Sequence, residues 1–329
     1  MKYRIAIIAA LGLALTLYLL MYVGLGAVFD AAVAVGLGGF AILCLYALGM
    51  FLLLGCAWYV LLPDSSRARP KVFVWARMVR DSAGDLLPFS QIGGMVLGAR
   101  AAILHGIAAP MAFGSMIVDV TTEMLAQVAY IALGLAILSA RAPRNSFVGS
   151  LTTVFVVGLV LAALAGALFL ALQRYGHRLT GKLTARILPR AVAATVAVGD
   201  ALDAIYRAPV RVGVSSVLHF GGWIASAVGT WIAFRLIGVR VDLNAVMAIE
   251  SLVYATKSAA FIVPNALGVQ EAAYAVLAPL FGIGAEFGLA VSLLKRARDI
   301  AVGVPILAIW QAVESRRALM AGVDGGVVD

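Results

Sequence analysis

The sequence predicts an all-α polytopic membrane protein: six transmembrane helices plus two oppositely oriented re-entrant helical hairpins in an inverted-topology repeat. Three observations predict it. Hydrophobic residues make up 63% of the 329-residue chain and charged residues only 12%, against about 25% charged in soluble domains. Several apolar runs are long enough to cross roughly 30 Å of hydrocarbon. Two further apolar stretches, 72–105 and 245–283, are each interrupted midway by Pro and Gly, so neither reads as one continuous helix. This composition excludes a soluble enzyme, a nucleic-acid binder and a disordered chain. The excess of 25 Lys and Arg over 16 Asp and Glu therefore reports topology and anionic lipid headgroups.

The chain opens Met-Lys-Tyr-Arg and continues into an apolar run from Ile5 to about Val28, too long for a signal-peptide core and read as a retained first helix. A second run spans about Gly36 to Leu62 after Asp30, followed by a basic stretch with Arg67, Arg69, Lys71, Arg77 and Arg80 that is expected in the cytoplasm. Further spans are expected at about Met111–Leu138, Phe147–Leu172, Val212–Ile237 and Glu286–Val313. Cys44 and Cys56 share one run with roughly 18 Å of helical rise between them and cannot pair.

Charge parity assigns the two broken stretches. The loop 174–211 carries Arg174, Arg178, Lys182, Arg186, Arg190, Arg207 and Arg211 against Asp200 and Asp203, which places it in the cytoplasm. The fourth span then ends inside and the third runs outward, so 72–105 must enter and leave on the cytoplasmic side. By the same count 245–283 enters and leaves from outside, and both termini are cytoplasmic. The short loop with Arg141 and Arg144 falls outside in this scheme.

A constant shift of 176 residues carries Gly36 onto Val212, Pro88 onto Pro264 and Glu123 onto Asp299 without a gap. The expected organisation is thus a first repeat at 1–140, a second at 141–313 and a cytoplasmic tail at 314–329. Inverted repeats with broken helices meeting near the midplane are an architecture of secondary transporters.

Polar residues within apolar spans are the candidate site. Asp119, Glu123 and Gln127 follow at i, i+4, i+8 and line one helical stripe; the equivalent segment of the sixth span carries Lys295, Arg296, Arg298 and Asp299. The acidic and basic stripes are expected to face and pair with each other. Two readings stand: a structural salt bridge, or a headgroup or proton site, since charges in the membrane are expensive and mark pathways or paired networks. The second break, Pro264-Asn265-Ala266-Leu267-Gly268-Val269-Gln270-Glu271, combines a helix interrupter, a Gly and an acid. It serves either as an anion site at exposed backbone dipoles, or as a plain turn with Glu271 capping the next arm. A second tier comprises Pro88, Ser90 and Gln91 at the first break, Arg100 in the first hairpin, and Glu250 with Lys257, seven residues apart and expected to pair locally.

The segment from Ala191 to Tyr206 reads as a helix lying on the anionic inner leaflet. Gly94 and Gly98 form a small-xxx-small pair that receives little weight in so Gly-rich a chain. His105, His177 and His219 lie far apart with no partners at ligand spacing, so no metal is expected, and no nucleotide loop or nucleophile elbow is present.

Phe261 to Tyr274, then Leu294-Lys295-Arg296-Ala297-Arg298-Asp299, together with Asp85 to Gly94 and Asp119 to Gln127, resemble the lysylphosphatidylglycerol synthase transmembrane (flippase-like) family. Within it the pattern is most similar to the HpnL-type proteins associated with hopanoid biosynthesis. The resemblance implies a bacterial inner-membrane protein of lipid handling, with the two hairpins forming the lipid route. Bifunctional members append an aminoacyl-transferase domain, whereas this chain ends about 16 residues after its last span, so lysyl transfer is not carried over. The expected function is a lipid translocase or lipid-transport component for a hopanoid or related polar lipid, without enzyme activity or cofactor. Its expected partners are membrane lipids, anionic inner-leaflet headgroups and lipid-biosynthesis enzymes. The rivals are a noncatalytic scaffold recruiting such enzymes, and a membrane enzyme using Asp119 and Glu123 on a lipid.

Overall fold

In the computed structural model, residues 25–63, 69–87, 90–141, 145–175, 192–260 and 263–324 are described, and their regular structure is entirely helical. In chain order the helices are α1 (Leu25–Tyr59), α2 (Pro70–Leu86), α3 (Ser90–Ile103), α4 (Ala109–Arg141), α5 (Ser146–Tyr175), α6 (Val192–Tyr206), α7 (Pro209–Leu236), α8 (Leu243–Ala259), α9 (Val269–Leu277) and α10 (Ala285–Asp324). Single 3-10 turns, Pro264–Ala266 and Ala278–Phe281, flank α9. Among the described residues, four segments are long and apolar enough to cross a membrane: Val33–Tyr59 of α1, α4, Ser146–Arg174 of α5, and α7. Helix α10 is longer still but carries Lys295, Arg296, Arg298 and Asp299 about a third of the way along. The expected first span falls largely outside the described residues, as do Arg67, Pro88, Arg144 and the middle of the basic loop. Helix α1 passes through Asp30 without a loop and kinks at Gly36, where the second span was expected to start.

Two apolar clusters occupy opposite ends of the bundle. One gathers Leu138, Phe234, Ile249, Leu252, Tyr274 and Leu289; the other gathers Trp58, Phe73, Val79, Ala102, Met116 and Ile306. Helices α4, α7 and α10 run from one cluster to the other, and the charged residues sit between. Helix α2 enters from the second cluster, beginning with Pro70 in its first turn, where a missing N–H costs nothing. Its partner α3 returns to the same cluster through Ala99, Ala101 and Ala102. Arms α8 and α9 start and finish in the first cluster, through Val246, Ile249 and Leu277. The two hairpins thus enter from opposite ends. Their tips touch midway, where Asn265 Nδ2 donates to the Asp85 carbonyl at 2.7 Å.

The glycine pair discounted in the sequence is what closes the first hairpin. A Cβ on Gly94 would lie 2.5 Å from the Arg80 carbonyl oxygen, and one on Gly98 would lie 2.7 Å from Arg80 Cβ. Helix α6 also differs from expectation, because it docks on the bundle and does not merely coat a membrane surface. Its Ala201, Leu202 and Ile205 are buried, and Tyr206 donates to Gln173 of α5 at 2.6 Å. Helix α5 leaves Leu161, Leu164, Leu168 and Leu172 exposed, an apolar face of the kind hydrocarbon covers.

Candidate functional site

The layer between the two apolar ends holds three linked polar groups. The first ties hairpin one to α4 and α7. Arg77 and Arg80 project from α2 one turn apart, on the face that also buries Phe73 and Ala76. Arg77 donates to Asp119 at 3.1 Å, to Glu123 at 2.6 Å and to Asp81 at 2.6 Å. Arg80 donates to Asp119 at 2.6 Å and to Glu123 at 2.7 Å. His219 of α7 meets the other Asp119 oxygen through Nε2 at 2.9 Å. Arg77 and Asp119 are buried, so these contacts lie in a low-dielectric environment where charge-assisted bonds are strong and an unpaired charge is costly.

The second group ties hairpin two to α10 and α7. Lys295 donates to Glu250 at 2.7 Å, Tyr274 Oη at 2.8 Å and Thr230 at 3.1 Å. Tyr274 in turn donates to the second Glu250 oxygen. The ammonium also lies over the Tyr254 and Tyr274 rings at 5.5 and 5.4 Å, a cation–π arrangement.

The third group is the second break itself. Asn265 and Ala266 adopt positive φ, as does Gly268 at φ +79°, a conformation only glycine takes without strain. Glu271 folds back to accept from the Gly268 N–H at 2.8 Å, capping α9. It also pairs with Arg296, which donates to the Ala266 carbonyl at 3.2 Å and reaches that of Asn265 at 3.4 Å. The Gly268 N–H, one of the donors expected to hold an anion, is therefore taken by Glu271, and the Ala266 and Asn265 carbonyls are met by Arg296. The sequence posed a cap or a site; Glu271 is a cap and a buried ion-pair partner together.

The structure corrects the predicted pairing of the stripes. Asp119 and Glu123 bind Arg77, Arg80 and His219, while Lys295 binds Glu250, Arg296 binds Glu271, and Arg298 pairs with its neighbour Asp299 at 2.7 Å. The charges of α4 are thus paired with the arm α2, and Lys295 and Arg296 of α10 with the arms α8 and α9, and not with each other. The predicted local pair of Glu250 and Lys257 is also absent; Lys257 donates to Gln270 at 2.8 Å instead. Gln127 reaches Ser258 at 2.9 Å, linking α4 to the end of α8. Arg100 pairs with Glu314 of α10 at an exposed site. Pro88 lies outside the described residues, and only the backbone is described at Ser90, Gln91 and Pro264.

Sequence reasoning missed Arg77 and Arg80 by assigning them to a cytoplasmic basic stretch, and missed His219, Tyr274 and Asp85. The spacing of Arg77 and Arg80 with Phe73 and Ala76 on one helical face is the available signal. Asp85 stands at the junction of the tips without a direct ion pair among the described residues, within electrostatic reach of Asp299, Lys257, Asp81 and Arg298. Asp85, Lys257, Arg298 and Asp299 are all partly accessible. Together they make a cluster of both signs at the junction of the tips.

The fold and this charged layer define a helical membrane protein built around two broken hairpins. The chain belongs to the family described as the lysylphosphatidylglycerol synthase TM region, whose model matches residues 5–306. That family consists of membrane proteins tied to lipid metabolism or transport. Neither the curated proteins nor the solved structures compared with the chain gave a match.

Proposed function

We propose that the protein is a flippase-like lipid translocase, or a lipid-transport component, of the bacterial inner membrane. In this reading the chain crosses the bilayer six times with both termini in the cytoplasm, as two inverted repeats at 1–140 and 141–313. The hairpins α2–α3 and α8–α9 enter from opposite faces. The observation that carries the reading is the meeting of two broken hairpins inside a charged layer between two apolar ends. A headgroup needs a polar path through hydrocarbon, and intramembrane charges of this kind mark such paths. Lys257 and Arg298 suit a phosphate, Asp85 and Asp299 suit hydroxyls or an amine, and the tails stay in the bilayer outside. A hopanoid or related polar lipid is the substrate class that the resemblance favours.

The test is reconstitution of the purified chain into liposomes carrying a tail-labelled polar lipid and an impermeant quencher. Quenching beyond the outer-leaflet fraction is expected, and Arg298→Gln and Asp299→Asn should slow it while keeping the thermal midpoint. Absence of lipid movement with binding to a lipid-synthesising enzyme supports the scaffold; a changed lipid mass supports an enzyme.

A further inference from the structure

We propose that the end of α7 is a phosphate-binding site: Arg235 and Arg240 stand on either side of a glycine turn and together clamp a phosphate, carried there by the headgroup of a lipid at the mouth of hairpin two. The translocase reading supplies what the site serves, but the site itself is tested by binding, without lipid movement.

The apolar segment of α7 that is long enough to cross a membrane ends at Leu236. Arg235 and Arg240 therefore fall at headgroup level, at the end of the bundle where the first apolar cluster lies and hairpin two opens. An open cavity of about 480 Å³ lies there, lined by Arg235, Gly238, Val239 and Arg240. Its backbone is fixed in place. Gly238 takes φ +83°; its N–H donates to the Arg235 carbonyl at 3.1 Å, and the Val239 N–H donates to the Phe234 carbonyl at 2.9 Å. These are the paired bonds that close a helix at a left-handed glycine. One turn before the end, Trp231 Nε1 donates to the Val241 carbonyl at 2.9 Å and ties down the far side of the loop. The Arg235 guanidinium lies over the Trp231 ring at 5.1 Å, a cation–π contact that holds the side chain at the membrane surface.

Neither arginine has a hydrogen-bond or ion-pair partner among the described residues. The acids at this end do not supply one. Asp242, two residues beyond Arg240, pairs with Arg141 at the end of α4, and Glu286 near the start of α10 folds back over Gly284. Two uncompensated guanidiniums thus border one cavity on what the six-span topology makes the outer side, where Lys and Arg are scarce. A guanidinium presents paired N–H donors that match phosphate oxygens, and two of them on one rigid loop meet a phosphate with little ordering left to do. The partly buried Ile232 and Leu236 just before the cavity favour a ligand with an apolar tail in the hydrocarbon and its phosphate at the surface.

The test titrates the purified full chain in detergent with phosphatidylglycerol and reads the first lipid bound by native mass spectrometry. Arg240→Gln should weaken binding several-fold at an unchanged thermal midpoint, because that side chain holds nothing else in place. Arg235→Gln added to it should weaken binding further. Arg207→Gln with Arg316→Gln takes two exposed arginines from the opposite end of the bundle and should leave binding as it was. Equal weakening by the two pairs means that net charge alone attracts the lipid and overturns the site, as does binding that Arg240→Gln does not change. Millimolar inorganic phosphate is the second probe. Failure to displace the phospholipid supports the lipid as the source, whereas displacement that depends on Arg240 keeps the clamp and overturns the headgroup as its ligand. A chain that binds through both arginines yet moves no lipid in liposomes refutes the translocase reading alone; lipid movement with binding indifferent to both arginines refutes the site alone.

Discussion

Removing the acid from the second-half ion pair should be strongly destabilising, and removing the base as well should reverse most of the loss. Glu250 is fully buried and Lys295 has 9% side-chain exposure, at 2.7 Å. Glu250→Gln keeps the volume and still offers an oxygen to Tyr274, but it turns an amide toward an ammonium that has nowhere to send its charge. Lys295 retains bonds to Thr230 and Tyr274, so the loss comes from the counter-charge alone. Breaking a buried pair from one side costs about 3 to 5 kcal/mol, which for a chain of this size is a fall in thermal midpoint on the order of 10 °C. Lys295→Met in the same background removes the orphan charge and leaves a side chain suited to the Tyr254 and Tyr274 rings, and apolar replacement of a whole buried pair is often neutral. Thermal unfolding of the purified chain, followed by loss of the monodisperse chromatographic peak, gives both numbers. A neutral Glu250→Gln, or a double variant no better than the single, refutes the pairing. The same Lys295→Met change should fail to rescue Asp119→Asn, because Asp119 answers to Arg77 and Arg80.

Other outcomes follow from the packing. Gly98→Leu should destabilise by about 1 to 3 kcal/mol, because the new side chain must displace Arg80, whereas a substitution at Gly93, where nothing lies within 4 Å, should leave the melting curve unchanged. Glu271→Gln should preserve the acceptor for the Gly268 N–H yet lower the thermal midpoint through the orphaned Arg296, and Gly268→Val should lower it independently by denying the positive φ; a transport defect in Glu271→Gln that merely tracks this loss speaks against a headgroup role for that carboxylate. Single cysteines at Gly106 and Gly282, the open ends of the two hairpins, should label from opposite sides of the membrane, and labelling of both from one side refutes the six-span topology.

The helices and breaks were legible because they depend on local information. Apolar runs measured against bilayer thickness located α1, α4, α5 and α7, and Pro88 and Pro264 marked the two interruptions. The site was only half legible. Asp119, Glu123, Gln127, Lys295 and Arg298 stand out because charge inside an apolar run is conspicuous. Arg77 and Arg80 do not, because they follow Arg67, Arg69 and Lys71 and read as more of a solvated basic stretch. Periodicity says which face of a helix a residue occupies and nothing about which other helix that face meets, so Asp119 was paired with its repeat mate and not with α2. His219 has no partner at ligand spacing in the sequence, because the carboxylate it meets lies 100 residues away.

The observed pairing exchanges the sign of charge between positions that the 176-residue shift of the sequence relates. The shift of 176 residues takes Asp119 of α4 onto Lys295 of α10. In the first half the long helix supplies the acids and the hairpin arm the bases; in the second the arm supplies Glu250 and the long helix Lys295. Each hairpin is therefore held to its long helix by buried ion pairs, with His219 of α7 joining the first set through Asp119, whereas the hairpin tips meet through a neutral hydrogen bond from Asn265 to the Asp85 carbonyl. Strong buried ion pairs resist rearrangement, whereas single neutral hydrogen bonds are worth about 1 kcal/mol each. The junction of the tips is thus held less firmly than the ion-paired anchors, and it is also where Asp85, Lys257, Arg298 and Asp299 are partly accessible. A polar group entering there meets charge of either sign without breaking the pairs that hold the hairpins.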